Sequence, residues 1–214
     1  MAKGDDFERE QCRFLSLWWT GGRRDDVFWR NRRHKTTHVP DAKMQLGDLT
    51  AVDTEGVPFV NAFNVEFKRG YSKGKQRYKA MELLSLIDYL PRRGKGDGKT
   101  IMVWKGNMWW KAWAQTVRDA EVSSREPMFI FKRDFSVPVV CVRRKVAKEF
   151  EDWDGQADFD YLVFSQAFPV KDSLGVFRVG REDILLAREE DFFDWLSPDT
   201  VESWLAERHL KKEK

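Results

Sequence analysis

A nearly unbroken apolar run, PMFIF at residues 127–131, places the strongest constraint on the fold, and VPVVCV follows it at residues 137–142. A strand that is apolar on both faces has to be covered on both faces, whereas a half-exposed strand alternates with polar residues. Two segments with helical periodicity, DDFEREQCRFLSLWW at residues 5–19 and MWWKAWAQTVRDAE at residues 108–121, can supply that cover. The sequence therefore predicts an α/β domain, a mixed central sheet with helices on both faces.

The charge is distributed unevenly along the 214 residues, although the net charge is only +3. Residues 1–150 contain 30 Lys and Arg against 19 Asp and Glu, and residues 151–214 contain 8 against 16. The basic part suits an anionic polymer, which the acidic tail would repel. We therefore expect a core at residues 1–150 and a small acidic α+β extension at residues 151–214, lying at the periphery or against a protein partner.

Several features predict a cytoplasmic protein without membrane contact, in the host cytoplasm if a phage encodes it. No apolar run approaches the roughly 20 residues that span a bilayer. The polar N-terminus, MAKGDDFERE, does not resemble a signal peptide. Cys12 and Cys141 lie in apolar patterns without the spacing of a metal site or a disulfide.

The stretch FNVEFKRG at residues 63–70 carries Glu66 and Lys68, which strand alternation places on one face. Before it come LGDLTAVD at residues 46–53, which has a short strand pattern, the turn signal TEG, and VPFVNA, which we expect to belong to one longer strand, VPFVNAFNVEFK at residues 57–68. We expect a β-hairpin whose antiparallel arms bring Asp48, at the start of one arm, beside Glu66 and Lys68 at the end of the other.

Two converging carboxylates repel each other unless a cation lies between them. Oxygen ligands of this kind suit Mg²⁺, which completes its shell with water and phosphate and can activate a water for attack on a phosphodiester. Lys68 would orient that water or stabilise the developing oxyanion. The alternative is an exposed cross-strand ion pair between Glu66 and Lys68.

The basic segments around this motif are the candidates for DNA contact. Residues 68–99 hold ten Lys and Arg against three acids, and a second basic stretch follows the first helix. The predicted DNA-binding residues are Arg30, Arg32, Arg33, Lys35, Arg69, Lys73 and Lys75. Tryptophans on helical stripes are expected in the core, which leaves Trp29 or Trp109 to stack on an unpaired base.

The motif GDL followed by VEFK resembles the PD-(D/E)xK nuclease superfamily. The order of features is similar to that of archaeal-type and phage Holliday-junction resolvases: a first helix with FERE, a basic loop, GD, ExK, a helix bearing Gln, and PMFIFKRD. The resemblance covers roughly residues 4–142. It departs where Gly47-Asp48 replaces the family's Pro-Asp, and where a Ser-Gly pair is absent around Asn31 to Thr37.

The resemblance implies a restriction-endonuclease-like fold with Asp48 and Glu66 as Mg²⁺ ligands, Mn²⁺ substituting, and Lys68 as the catalytic lysine. Glu8 would add an acid to the metal site, and Gln115 would line it. Two alternatives stay open: Glu8 as a solvated first-turn acid favoured by the helix dipole, and Gln115 on a solvated helix face.

The implied function is metal-dependent hydrolysis of phosphodiester bonds in branched DNA by a homodimer. A competing class is a DNA-binding accessory protein for packaging or replication that keeps the fold but has weak or no catalysis. A third class, a structural interaction protein, leaves the basic segments without an explanation.

Overall fold

The computed structural model describes residues 3–31, 46–69, 99–102, 108–132, 136–171 and 177–212. Within these ranges the helices are α1 (Lys3–Trp19), a short 3₁₀ helix (Thr54–Gly56), α2 (Val57–Ala62), α3 (Met108–Val122), α4 (Arg144–Asp154), α5 (Glu189–Trp195) and α6 (Pro198–Lys212). The strands are β1 (Phe28–Arg30), β2 (Leu49–Ala51), β3 (Phe63–Arg69), β4 (Lys99–Met102), β5 (Glu126–Lys132), β6 (Val139–Arg143), β7 (Tyr161–Lys171) and β8 (Phe177–Arg188).

Six of these strands form one mixed sheet in the order β3-β5-β6-β8-β7-β4. The pairs β3–β5 and β4–β7 are parallel, and β5–β6, β6–β8 and β8–β7 are antiparallel. The short strands β1 and β2 pair antiparallel as a separate two-stranded ribbon. Among the strands described, β3 is therefore at one edge of the large sheet.

The two faces of the sheet bury separate apolar clusters. In β5, Met128 and Ile130 join the cluster that α1, α2, α4, α5 and α6 cover, while Phe129 and Phe131 join the cluster that α3 covers. Trp109 and Trp113 are the α3 side chains at the centre of the second cluster. The prediction of a mixed α/β fold with helices on both faces is confirmed, and the apolar run at residues 127–131 is apolar because both of its faces are covered.

The predicted hairpin is wrong, because β2 pairs with β1 and not with β3. Asp53 accepts a hydrogen bond from the Glu55 backbone N–H and caps the 3₁₀ helix, and α2 follows with a proline in its first turn. Phe59 of α2 is fully buried against Phe63, with ring centroids 5.4 Å apart. The residues around Phe59, which the sequence pattern had predicted as part of a hairpin strand, therefore form a helix that buries this aromatic side chain.

Residues 151–214 do not form a sheet of their own. Strand β8 lies between β6 and β7 in the large sheet, and the expected boundary at residue 150 falls inside α4. The residues 184–187, ILLA, alternate between the two apolar clusters, so β8 needs cover on both faces and takes an interior position. Trp204 of α6 stacks on Phe63 with ring centroids 5.9 Å apart, which ties the C-terminal helix to the start of β3. The expected acidic extension is therefore part of the core.

The remaining predictions concern membrane contact, the two cysteines and a helix in the segment after β3. No helix among the described residues is long and apolar enough to cross a membrane. Cys12 and Cys141 are buried free thiols. The helix predicted at AMELLSLIDYL, residues 80–90, lies outside the described residues.

Candidate active site

Asp48 is held against the outer edge of β3 by two hydrogen bonds. Its backbone N–H donates to the Val65 carbonyl oxygen at 2.8 Å, and its Oδ2 accepts from the Phe67 N–H at 2.8 Å. These contacts bracket Glu66, which lies between the two β3 residues that Asp48 engages. The edge of the strand, which a hairpin partner would have covered, is instead covered by the segment that carries the aspartate.

The glycine before this aspartate is required by the packing. A Cβ added to Gly47 would lie 2.4 Å from the Val65 carbonyl oxygen and 3.1 Å from Oδ1 of Asn64. Asn31 fixes the other side of the segment: its N–H donates to the Asp48 carbonyl oxygen at 2.7 Å, and its Nδ2 donates to the Gly47 carbonyl oxygen at 2.9 Å. A proline, or any residue with a side chain, would not fit in this position without movement of β3.

Glu66 is the buried centre of the site, with a side chain only 4% exposed. Its Oε1 accepts from the Lys68 ammonium and from Gln115 Nε2, the latter at 3.4 Å. Burial and the nearby Asp48 charge raise the pKa of Glu66 to about 7, against the opposing effect of Lys68. The ion pair of Glu66 and Lys68 is therefore not an exposed one, and Gln115 of α3 faces the site and not the solvent.

Glu8 is paired with Arg30, and its side chain remains partly exposed, at 23%. Its Oε2 accepts from Arg30 Nε at 2.6 Å, and the Arg30 side chain, 10% exposed, also pairs with Asp5 at 2.8 Å. The pKa of Glu8 is raised, first by burial, with Arg30 opposing and the charge of Asp48 adding to the rise. Glu8 thus lies within electrostatic reach of Asp48, and Arg30 joins β1 to α1 instead of presenting its charge at the surface.

The sequence interpretation missed Asp119, whose charge contributes to the raised pKa of Glu66. Asp119 follows Gln115 by four residues on α3, so helical periodicity places the two on the same face. This spacing was visible in the sequence. It carries meaning only once Gln115 is known to face Glu66.

Several predicted nucleic-acid contacts lie outside the described residues: Arg32, Arg33, Lys35, Lys73 and Lys75. Arg69 is described as the last residue of β3 and is half-buried. Trp29 on β1 is 52% exposed, as a stacking residue would require, whereas Trp109 is fully buried against Trp113 with ring centroids 5.9 Å apart. The prediction that Trp109 could stack on a base is therefore wrong.

The donor set of Asp48 and Glu66 fits a divalent cation. The hydrogen bonds to these two carboxylates engage Oδ2 of Asp48 and Oε1 of Glu66, and each carboxylate has a second oxygen of the hard type that Mg²⁺ prefers. Within the described ranges no group of three or more His, Cys, Asp and Glu side chains has an arrangement that could hold a metal ion. The candidate site is thus a two-carboxylate site, with Glu8 bonded to Arg30 beside it.

The chain matches no family model, no curated protein and no solved structure. The resemblance to PD-(D/E)xK nucleases, the catalytic roles and the DNA substrate remain predictions.

Proposed function

We propose that this protein is a Mg²⁺-dependent DNA endonuclease, with Mn²⁺ able to substitute, that acts on branched DNA. One observation carries the proposal: Asp48, Glu66, Lys68 and Gln115 converge on the edge of β3 from three separate segments of the chain. The predicted hairpin that first suggested this convergence does not form, yet Asp48 is hydrogen-bonded to Phe67 of β3 and its charge acts on Glu66. Their proximity therefore does not depend on the hairpin from which it was predicted.

The proposed roles follow from the contacts of each side chain. Asp48 and Glu66 would hold the cation, which when bound supplies positive charge to the phosphodiester and lowers the pKa of a water. Lys68 is 30% exposed and is held by Glu66, so its ammonium can donate to the attacking water or to a phosphate oxygen. Gln115 donates to Glu66 and fixes the orientation of that carboxylate.

DNA as the substrate is supported by charge. The basic excess of residues 1–150 suits a polyanion, and Arg69 follows Lys68 on the same strand at the end of β3. The branched substrate and a homodimer with two sites across the junction come from the resemblance to resolvases, and two-fold dimers are the commonest oligomers.

The test is cleavage of a four-way junction and a matched duplex with Mg²⁺, using Asp48→Asn, Glu66→Gln and Lys68→Ala. Each variant is expected to lose about 10²-fold or more in rate, the usual effect of removing a group that acts at the reacting atoms. DNA binding, measured with Ca²⁺ in place of Mg²⁺, is expected to persist because phosphate contacts elsewhere supply most of its energy. Asp25→Asn is the matched control, since Asp25 is exposed and pairs with Arg13 at 3.1 Å.

If a variant cuts at the wild-type rate, the residue that it replaces has no catalytic role. If all three variants do so, the proposal that this site makes the protein an enzyme is refuted. Wild-type protein that binds DNA but shows no cleavage with either Mg²⁺ or Mn²⁺ would favour the accessory protein instead.

A further inference from the structure

Asn64, on β3, has a buried amide whose hydrogen-bonding groups are not used. The residue is 1% exposed, and neither Oδ1 nor Nδ2 has a hydrogen-bond partner in the part of the chain that the structure describes. Buried polar groups in folded proteins are nearly always paired with protein or with ordered water, because an unpaired one is destabilising. The two unpaired atoms of Asn64 therefore leave room for a partner outside the described residues, such as an ordered water.

The position of Asn64 shows where that partner would be. Alternate strand residues share a face, so Asn64, Glu66 and Lys68 form one polar row along β3, while Phe63, Val65 and Phe67 enter the apolar core on the other face. The row therefore begins with an unpaired amide and continues with the two charged residues of the candidate site.

The packing of Gly47 gives a second indication of where the Asn64 amide lies. A Cβ on Gly47 would lie 3.1 Å from Oδ1 of Asn64, so the amide is packed against the backbone that leads directly into Asp48. Asn64 thus lies in the corner between the strand that carries Glu66 and the segment that carries Asp48.

The spacing of Asn64 and Glu66 along β3 indicates the kind of partner that the Asn64 amide would bind. Residues two apart on a strand have Cα atoms about 6.6 Å apart and side chains on the same face, so a water can bridge polar groups of two such side chains. Mg²⁺ gives up its waters reluctantly and is usually bound through few carboxylates and several waters. Side chains that do not touch the metal can still orient its ligands by hydrogen bonds, and they contribute to metal affinity. An amide oxygen can act in this way by accepting a hydrogen bond from a metal-bound water.

We propose that Asn64 is a positioning residue for the divalent cation: its Oδ1 accepts a hydrogen bond from a water of the cation that Asp48 and Glu66 hold. This inference rests on the proposed cation site and adds a third side chain to it. An apolar side chain of the same shape would fill the corner but could not hold the water.

The experiment measures binding of Mn²⁺ alone to the full chain, without DNA, by calorimetry and by thermal shift. Asn64→Leu keeps the branched shape and removes both polar atoms. It is expected to bind Mn²⁺ about 10–100-fold more weakly, the usual effect of losing such an outer group. Without metal it is expected to melt at a higher temperature, because an unpaired buried amide has been removed.

The matched control is Asn61→Leu on α2, where Asn61 Oδ1 also has no partner among the described residues but lies outside the row on β3. Its Mn²⁺ affinity is expected to equal that of wild type. Asn64→Asp keeps an acceptor in the same place and is expected to bind Mn²⁺ at least as tightly as wild type, which decides the matter if the leucine variant does not fold.

Two results would overturn the proposal for Asn64 alone: Mn²⁺ affinity within twofold of wild type in Asn64→Leu, or an equal loss in Asn64→Asp and Asn64→Leu. If wild type does not bind Mn²⁺, or if Asp48→Asn binds it as tightly as wild type, the cation site itself fails, and the role of Asn64 fails with it.

Discussion

The raised pKa of Glu66 makes the stability of the metal-free protein depend on pH in a way that one substitution should remove. The pKa is about 7 in the folded chain, against an ordinary value of 4.5, chiefly because the carboxylate is buried and Asp48 lies near it. Between these two values the folded chain retains a proton that the unfolded chain has released. The contribution of Glu66 to the unfolding free energy therefore falls as pH rises through this window and levels off above about 7.

The magnitude follows from the two pKa values. One pKa unit corresponds to 1.36 kcal/mol, so the difference between 4.5 and about 7 amounts to roughly 3 kcal/mol of lost stability at pH 8. Glu66→Gln cannot ionise and avoids this loss, although Lys68 gives up its charged partner. The unfolding free energy of the variant minus that of wild type is expected to increase by about 3 kcal/mol between pH 4.5 and pH 8.

The assay is urea unfolding in a chelating buffer at several pH values between 4.5 and 8.5. Glu189→Gln is the control, because burial raises the pKa of Glu189 to about 8 and its effect has the same sign. Mn²⁺ distinguishes the two acids: it should reduce the advantage of Glu66→Gln over wild type at pH 8 and leave that of Glu189→Gln unchanged, because only Glu66 is a proposed ligand. A difference between Glu66→Gln and wild type that does not vary with pH would refute the reasoning.

Three further predictions concern the packing of the site and the substrate. Gly47→Ala is expected to lower the unfolding free energy by about 1–3 kcal/mol, since its Cβ would lie 2.4 Å from the Val65 carbonyl oxygen; an unchanged urea midpoint would contradict this. Joint neutralisation of Arg69, Lys73 and Lys75 should weaken binding to all DNA sequences. It should also reduce the slope of log affinity against log salt concentration by about one per lost phosphate contact, and an unaltered slope would show that these residues face away from DNA. With Ca²⁺ replacing Mg²⁺, a four-way junction should compete at least about tenfold better than fork, single strand or linear duplex, because the sequence pattern predicts no recognition helix that carries several base-reading side chains. Equal affinity for plain duplex would reduce the proposal to a general nuclease.

The fold class followed from the sequence because hydrophobic burial is a local property that the pattern of residues records. The run PMFIF is apolar at every position, and the structure places alternate residues of β5 in two different clusters. The periodicity of residues 108–121 likewise predicted α3, which runs from Met108 to Val122. Such patterns record which faces of a strand or helix are buried, and they do not record which other strand it pairs with.

Strand pairing did not follow from the sequence, because pairing depends on contacts between distant segments. The pattern VPFVNAFNVEFK is as apolar as a long strand, yet Phe59 is buried on a short helix and the strand begins only at Phe63. The acidic charge of residues 151–214 suggested a separate unit. Glu182 instead accepts from Arg143 of β6 at 2.6 Å, so an acidic segment is accommodated inside the common sheet.

For the candidate site, the sequence by itself determined which side chains share a face of one element: Glu66 with Lys68 on a strand, since alternation is fixed by backbone geometry. Only the tertiary structure decided that Asp48 meets them at the edge of β3 without a hairpin, and that Gln115 approaches from α3. It also decided that Glu8 is bonded to Arg30. The physical reason is range: covalent geometry sets the direction of neighbouring side chains, whereas the approach of separate segments is set by how the whole core packs.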